Sequence, residues 1–100
     1  MSRVHHMVLL RFKPSATADT IARLFPELAA LKATIPGIVH FSGGLYDSPE
    51  GLNQGFTHGF LMTFENAAAR DHYLAHPEHE LVKQKFLPLV DNVVAFDYAE

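Results

Sequence analysis

The 100-residue chain contains no cysteine and no tryptophan, and neither sign of charge is in strong excess. Without cysteine it cannot form a disulfide, a thiolate metal site or a nucleophilic thiol. The net charge of -3 at pH 7 offers no basic surface to a nucleic acid, and no charge run indicates a membrane-surface helix. No apolar run reaches transmembrane length, and no signal-peptide pattern is present. We therefore expect a cytoplasmic protein with neither a nucleic-acid nor a membrane partner.

What is present is the composition of a folded protein. Hydrophobic residues make up 48% of the chain and charged residues 19%, which is typical of a globular protein rather than a disordered one. A chain of 100 residues can bury one core but not two. We predict a single domain over residues 1–100.

Segments rich in β-forming residues alternate with helical patterns. Leu24, Leu28 and Leu31 belong to one apolar stripe of the first helix, and Thr17 or Asp19 could cap its start. Proline is expected to kink or break that helix at position 26, and a glycine pair at 43–44 is expected to mark a bulge. The predicted strands cover residues 4–13, 38–46, 57–65 and 92–98, and the predicted helices cover 17–35, 66–75 and 78–90. Pro88 is expected to end or distort the last of these helices.

The order β-α-β-β-α-α-β favours an α+β fold, a ferredoxin-like four-stranded antiparallel sheet with helices on one face. Such a sheet leaves its other face without cover. That face would carry five apolar residues, Met7, Leu9, Leu61, Val94 and Phe96, and therefore needs another surface against it. A second copy of the chain is the simplest candidate, so we predict a homodimer through the uncovered sheet face.

The segment from Tyr73 to His79 carries the candidate chemistry. Pro77 suits the first turn of a helix, where its missing N–H costs no hydrogen bond. His79 would then lie near a helix N-terminus, where the helix dipole disfavours a protonated ring. A neutral imidazole beside the Tyr73 phenol is a plausible acid/base pair. In the alternative reading, His76 caps the turn and His79 covers the core.

Several ordered motifs make the chain resemble the stress-responsive A/B barrel family of dimeric α+β barrel proteins. They are His5-His6-Met7-Val8-Leu9-Leu10-Arg11-Phe12-Lys13, Ile35-Pro36-Gly37, Ser48-Pro49-Glu50-Gly51-Leu52, Gly55-Phe56-Thr57-His58, Thr63-Phe64-Glu65, Tyr73-Leu74-Ala75-His76-Pro77-Glu78-His79 and Phe96-Asp97-Tyr98. The resemblance runs essentially from end to end. It implies two sheets packed face to face in a homodimer.

The family includes plant stress-induced proteins and a plant polyketide cyclase that uses a histidine and a tyrosine. By position, the resemblance implies His79 and Tyr73 as the catalytic pair. The residues it implies around the cavity are polar at His6, His58 and Asp97 and apolar at Leu24, Phe25, Leu28, Phe60 and Met62. Pro26 and the leucine at position 28, where the cyclase has a tyrosine, depart from the cyclase pattern.

Strand direction limits which polar residues can meet. In the ferredoxin-like order, the first strand runs antiparallel to the third and fourth, so His6 should approach Asp97 as a separate buried pair. Such a carboxylate can satisfy a buried imidazole without any catalytic role. His58 belongs at the other end of a strand that spans roughly 20 Å. Because the next helix runs back along that strand, we expect His79 near His58.

The sequence is compatible with two functions. The first is cofactor-free proton transfer next to a carbonyl, as in an aldol-type cyclase or an isomerase, on a small apolar carbonyl-containing ligand. The second is a non-catalytic stress-response or ligand-binding dimer. A cofactor-free monooxygenase is a third idea that no residue specifically supports. We predict no cofactor and no side-chain metal site, since Pro77 between His76 and His79 suits a turn better than a ligand pair.

Overall fold

The computed structural model describes residues 2–100. The strands are β1 (Val4–Phe12), β2 (Ile38–Leu45), β3 (His58–Phe64) and β4 (Val90–Ala99), and the helices are α1 (Ala18–Thr34), α2 (Ala67–Leu74), α3 (Pro77–Phe86) and a 3-10 turn (Leu87–Leu89). The predicted order of elements is confirmed. The last helix stops at Phe86 rather than at position 90, and a 3-10 turn follows, as expected where Pro88 cannot supply a helical N–H.

The sheet order is β2-β3-β1-β4, and each neighbouring pair is antiparallel. This confirms the predicted α+β, ferredoxin-like fold. The helices cover one face, where alternate residues of β1 are buried. The core contains mainly aliphatic and aromatic side chains, among them Leu10, Leu24, Leu28, Leu31, Ile35, Met62, Phe64, Tyr73 and Phe86.

Helix α1 begins where the sequence predicts. The Thr17 hydroxyl accepts a hydrogen bond from the Thr20 backbone N–H at 3.2 Å, as expected of an N-cap. The predicted break at Pro26 does not occur, and α1 continues through this residue to Thr34. Pro26 cannot donate to the carbonyl of Ala22, but Ala22 is exposed, so water can satisfy that carbonyl.

Strand β2 contains a register shift between Ile38 and His40, and the pairing at Gly43 and Gly44 is regular. The predicted bulge at the glycine pair is therefore wrong. Glycine is needed at position 43 for packing instead, since an added Cβ would lie 2.8 Å from side-chain atoms of both Phe25 and Phe60. Glycine at this position lets the aromatic layer lie directly on the strand.

Two side-chain caps define the joint between α2 and α3. The Asn66 Oδ1 atom accepts from the Ala69 N–H at 2.8 Å and starts α2. The His76 Nδ1 atom accepts from the Glu78 N–H at 3.1 Å and starts α3, with Pro77 in its first turn. The expected capping role of His76 is thus confirmed, and His79 lies one turn further inside.

The second face of the sheet, called here the open face, has no helix against it. Five of its apolar side chains are between 40% and 62% exposed, namely Met7, Leu9, Val94, Phe96 and Tyr98. This confirms the predicted uncovered face.

No helix within residues 2–100 has the length and apolar character needed to cross a bilayer.

Candidate functional site

Tyr73 and His79 form the centre of the candidate site. Tyr73 is the buried residue of α2, and His79 is the first buried residue of α3. Their rings stack with centroids 4.1 Å apart and an interplanar angle of 27°. The tight turn at His76 and Pro77 brings the two short helices together and produces this stack.

A cavity of about 180 Å³ reaches this pair. It lies between the helices and the sheet, and most of its surface is apolar. Its lining residues are His6, Val8, Leu28, Phe60, Tyr73, Leu74, His79, Lys83, Phe86, Leu87, Val93 and Ala95. A mainly apolar cavity with a few convergent polar groups is the usual form of a small-molecule site. Its volume restricts any ligand enclosed by one chain to a small molecule.

Burial keeps both central groups in their uncharged forms near neutral pH. It lowers the pKa of His79, and the nearby positive charge of Lys83 acts in the same direction. The hydrogen bond to the Leu74 carbonyl and the charge of Glu80 oppose that shift less strongly. Burial also raises the pKa of Tyr73 well above its usual range. A neutral imidazole that can accept a proton therefore stacks on a phenol that keeps its own.

The free nitrogen of His79 is set by a backbone contact. Its Nδ1–H can donate to the Leu74 carbonyl at 3.4 Å, a long hydrogen bond that would leave Nε2 with a lone pair. Within residues 2–100 the Nε2 atom and the Tyr73 hydroxyl make no hydrogen bond, and no fully buried polar side-chain atom lacks one. Both atoms therefore retain accessible surface, in residues that line the cavity.

The predicted separation of the His6–Asp97 pair from this site is wrong. The pair itself is present, since the His6 Nδ1–H donates to Asp97 Oδ1 at 2.6 Å across paired strands. However, the His6 ring also meets the Tyr73 ring edge to face at 6.0 Å and lines the same cavity. His6, Tyr73 and His79 thus form one group, because α2 crosses the sheet above the start of β1 rather than above its end.

The predicted neighbourhood of His58 and His79 is also wrong. His58 pairs with Leu10, at the opposite end of β1 from His6. Its ring packs against Phe12 and Phe25, its Nδ1 atom bonds the Thr57 hydroxyl at 2.8 Å, and burial lowers its pKa. His58 lines two other cavities, neither of which includes Tyr73 or His79.

The five predicted apolar cavity residues separate into three groups. Leu28 and Phe60 line the cavity at Tyr73 and His79. Phe25 lines a different cavity of about 730 Å³ between α1 and β2, together with His58. Leu24 and Met62 belong to the packed core, with exposures of 5% and 0%, and do not line the central cavity.

Two charged residues near the site were not predicted from the sequence. Lys83 lines the cavity one helical turn after His79. Arg70 lies one turn before Tyr73, and its guanidinium donates to Asp97 at 2.8 Å. The spacing of three residues from Tyr73, which places two side chains on one helix face, is the sequence signal that could have identified Arg70.

Two neighbouring histidines have the arrangement of a partial metal site. His72 and His76 have the four-residue spacing of a helical ligand pair, and their ring centroids are 5.3 Å apart. Nevertheless, residues 2–100 contain no group of three or more His, Cys, Asp or Glu side chains placed to hold one ion. Two imidazoles alone do not make a protein metal site.

Comparison with known proteins identifies the family. The family model of the stress responsive A/B barrel domain matches residues 4–100. The chain belongs to the stress-responsive A/B barrel family. Among its curated relatives, the Arabidopsis thaliana stress-response A/B barrel domain-containing protein HS1 is 37% identical over 95 residues, which span 95% of this chain and 87% of that protein. Olivetolic acid cyclase of Cannabis sativa is 25% identical over 95 residues, 95% of this chain and 94% of the cyclase.

Three solved structures are similar to nearly the whole chain. The Arabidopsis thaliana protein At3g17210 is 37% identical, with a TM-score of 0.90 and coverage of 95% of this chain and 92% of that one. A Jannaschia protein described as dimeric and ferredoxin-like is 26% identical, with a TM-score of 0.86 and coverage of 96% and 97%. Hydroxynitrile lyase from Passiflora edulis shares the fold at 23% identity, with a TM-score of 0.90 and coverage of 98% and 93%.

Burial of His79 makes the stability of this A/B barrel protein sensitive to acid. Its folded-state pKa lies below the ordinary value of 6.5, so the unfolded chain takes up the proton first as the pH falls. The free energy of unfolding should be highest above pH 6.5 and fall below it, by up to about 1.4 kcal/mol per pH unit for one group. Urea denaturation of the wild type and a His79→Gln variant between pH 7.5 and 5 measures this slope.

The exposed His72 supplies the control for that experiment. A His72→Gln variant should retain the wild-type slope, whereas His79→Gln should show a shallower one. Half-buried His58, whose pKa burial also lowers, contributes in the same direction, so the slope should not vanish entirely. An identical slope in the wild type and His79→Gln would contradict the prediction.

Proposed function

We propose that this protein binds a small carbonyl compound in the cavity at Tyr73 and His79 and transfers a proton at the carbon next to the carbonyl. The observation that carries the proposal is the stacked pair itself. It combines a neutral imidazole with a protonated phenol in a mainly apolar cavity. General-base removal of such a proton needs an acceptor, and the enolate that forms needs a hydrogen-bond donor.

In the proposed step, the Nε2 lone pair of His79 takes the proton from the carbon. The carbon–hydrogen bond breaks, its electron pair forms the carbon–carbon double bond of an enolate, and the carbonyl π pair moves onto the oxygen. The Tyr73 O–H donates a hydrogen bond to that oxygen. For an exchange or isomerisation, the imidazolium then returns a proton to carbon. For an aldol-type cyclisation, the enolate carbon instead bonds to a second carbonyl carbon of the same molecule, the π pair of that carbonyl moves onto its oxygen, and the imidazolium gives its proton to the resulting alkoxide.

The named relatives support this class of reaction. Olivetolic acid cyclase, similar over 95% of this chain, is named as a cyclase, and a hydroxynitrile lyase has the same fold. The proposed step needs no cofactor, because the proton acceptor and the hydrogen-bond donor both belong to the chain. The mainly apolar lining lowers the local dielectric constant and so strengthens both hydrogen bonds.

Hydrogen exchange of cyclohexanone in deuterated buffer tests the proposal without knowledge of the natural substrate. Loss of the α-proton signal in NMR spectra measures the rate. The wild type should exceed the buffer rate, and His79→Ala should reduce the protein-dependent rate by about 100-fold or more, the usual range for a lost general base. Tyr73→Phe should also reduce it, because the enolate oxygen loses its donor.

Two controls give that assay its meaning. His72→Ala changes an exposed histidine on the same helical joint and should leave the rate unchanged. A bulky ketone, 4-tert-butylcyclohexanone, should exchange more slowly than cyclohexanone if the reaction occurs in the small cavity. A wild-type rate equal to the buffer rate, or an undiminished rate in His79→Ala, would count against the proposed reaction.

The second candidate is a non-catalytic ligand-binding protein of the stress response. It is favoured because the segment from Tyr73 to His79 also stabilises the fold. His76 caps α3, and the stacked Tyr73 and His79 rings are buried. Under this function, cyclohexanone would bind, as shown by saturable shifts of the Tyr73 and His79 NMR signals, with no acceleration of exchange.

We also propose that a second copy of the chain covers the open face, to give a dimeric α+β barrel. The exposed apolar residues of β1 and β4 support it, because so much contiguous apolar surface is unusual on a monomer. The similar Jannaschia protein is described as dimeric. Two sheets packed face to face would bury these residues from both copies.

A further inference from the structure

Arg70 connects α2 to β4 through an ion pair that takes no part in the proposed proton transfer. Its Nε–H donates to Asp71 and one of its terminal N–H groups donates to Asp97, each at 2.8 Å. The Arg70 side chain is 22% exposed and that of Asp97 is 23% exposed, so this ion pair is partly shielded from solvent. Arg70 and Tyr73 lie three residues apart on α2, so one short helix carries both.

The Asp97 carboxylate is held on both of its oxygens. Arg70 donates to Oδ2, and the His6 Nδ1–H donates to Oδ1 at 2.6 Å. Burial by itself raises the pKa of Asp97, but the hydrogen bonds from His6 and Arg70 outweigh it and leave the pKa below its usual value. The carboxylate therefore remains an acceptor for His6 at neutral pH.

The His6 ring is fixed on its other sides by aromatic neighbours. It meets Phe60, Phe64 and Tyr73 edge to face, with centroid distances of 6.2, 6.3 and 6.0 Å. Its Nε2 atom has no partner within residues 2–100, and the residue lines the cavity. A carboxylate on Nδ1 selects the tautomer whose Nε2 carries a lone pair, which is the reverse of the tautomer that free imidazole side chains prefer.

We propose that Arg70 is a positioning residue, which acts through Asp97 to present the Nε2 lone pair of His6 to the cavity as a second proton acceptor beside Tyr73. The inference rests on the proposed function, because it assigns a role in the same cavity. Its chain of contacts runs from α2 through β4 to β1, and it ends on an atom that can touch a ligand. Tyr73 would then have one imidazole lone pair on each side, from His6 and from His79.

The NMR signals of imidazole nitrogen provide a test that needs no ligand. In protein labelled with ¹⁵N histidine at pH 7.5, the nitrogen shifts of His6 report which ring nitrogen carries the proton. The wild type should show the Nδ1–H form. Arg70→Gln, which keeps a side chain of similar reach without the charge, should lower the population of that form at least about twofold, because Asp97 loses the group that orients it.

Three comparisons separate positioning from simple loosening of α2. Arg70→Lys keeps a cationic donor and should restore most of the Nδ1–H form of His6. Arg23→Gln removes the same charge from an exposed site on α1 and should change nothing. The His79 signals, which depend on the Leu74 carbonyl instead, should stay within line width in Arg70→Gln.

Wild-type shifts of His6 in Arg70→Gln would overturn the inference. Equal disturbance of His6 and His79 would also overturn it, because Arg70 would then only tie α2 to β4. The cyclohexanone exchange rate provides a separate reading. If the wild type shows no exchange, the proposed reaction is wrong, and the nitrogen shifts of His6 alone test the role of Arg70. If the wild type is active, Arg70→Gln should lower the exchange rate about tenfold, with little change in the ketone concentration that gives half the maximal rate.

Discussion

A Gly37→Ala variant is expected to lose about 2 to 4 kcal/mol of folding stability, the largest effect expected from removing a single glycine here. Two costs act together at this position. Gly37 has a φ of +93°, which an alanine adopts only with strain. In addition, an added Cβ would lie 2.5 Å from the Cβ of Ala69, so α2 must move away from the end of α1. Urea denaturation followed by circular dichroism measures the loss.

Two other glycines separate these costs. Gly51 has a φ of +68° with no atom within 4 Å of an added Cβ, so Gly51→Ala should show the backbone strain alone, about 1 kcal/mol. Gly44 has neither problem, and Gly44→Ala should be nearly neutral. A Gly37→Ala variant no less stable than Gly51→Ala would show that the contact with Ala69 is unimportant.

The same variant should disturb the candidate site. Ala69 immediately precedes Arg70 and lies one turn before Tyr73, so displacement of α2 moves both residues relative to the sheet. The NMR signals of the stacked Tyr73 and His79 rings should therefore shift in Gly37→Ala and remain at their wild-type positions in Gly51→Ala. This links a glycine far from the cavity in sequence to the geometry inside it.

Leu9→Arg is expected to convert the proposed dimer into a monomer. Leu9 lies in the middle of the open face, beside Val94 of β4 and over Gly59 of β3. In a face-to-face dimer, an arginine there would be buried opposite apolar side chains without an ionic partner. Such a charge should weaken the dimer by about 100-fold or more. Sedimentation velocity would show the change from twice 11.1 kDa to 11.1 kDa.

Leu81 supplies the matched control for that experiment. It is 53% exposed on α3, on the helical side of the molecule, so Leu81→Arg introduces the same charge away from the open face. This variant should remain dimeric. A Leu9→Arg protein that is folded by circular dichroism and still dimeric would exclude the open face as the interface.

Much of the fold could be predicted from local pattern. The apolar stripe of α1, the Thr17 and Asn66 caps and the proline at the start of α3 each act over three or four residues, so the sequence displays them directly. The pairing of His6 with Asp97 also followed from sequence, because strand order and direction determine which ends of neighbouring strands meet.

The errors share a physical cause, which is that they depend on contacts between distant elements. The glycine pair of β2 suggested a bulge, but Gly43 is there to admit the rings of Phe25 and Phe60. Pro26 suggested a broken helix, but the buried stripe on both sides of it keeps α1 continuous against the sheet. Local propensity is weaker than such tertiary packing.

The candidate site shows the same division most clearly. The sequence by itself determined the A/B barrel fold, the open apolar face and the presence of Tyr73 and His79 on one helical joint. Only the tertiary structure decided which histidine accompanies them. The turn at His76 and the packing of α3 against α1 place His79 over the His6 end of the sheet and leave His58 beside Phe25 at the other end. A joint two residues long determines that choice, because its backbone angles set the direction of the whole following helix.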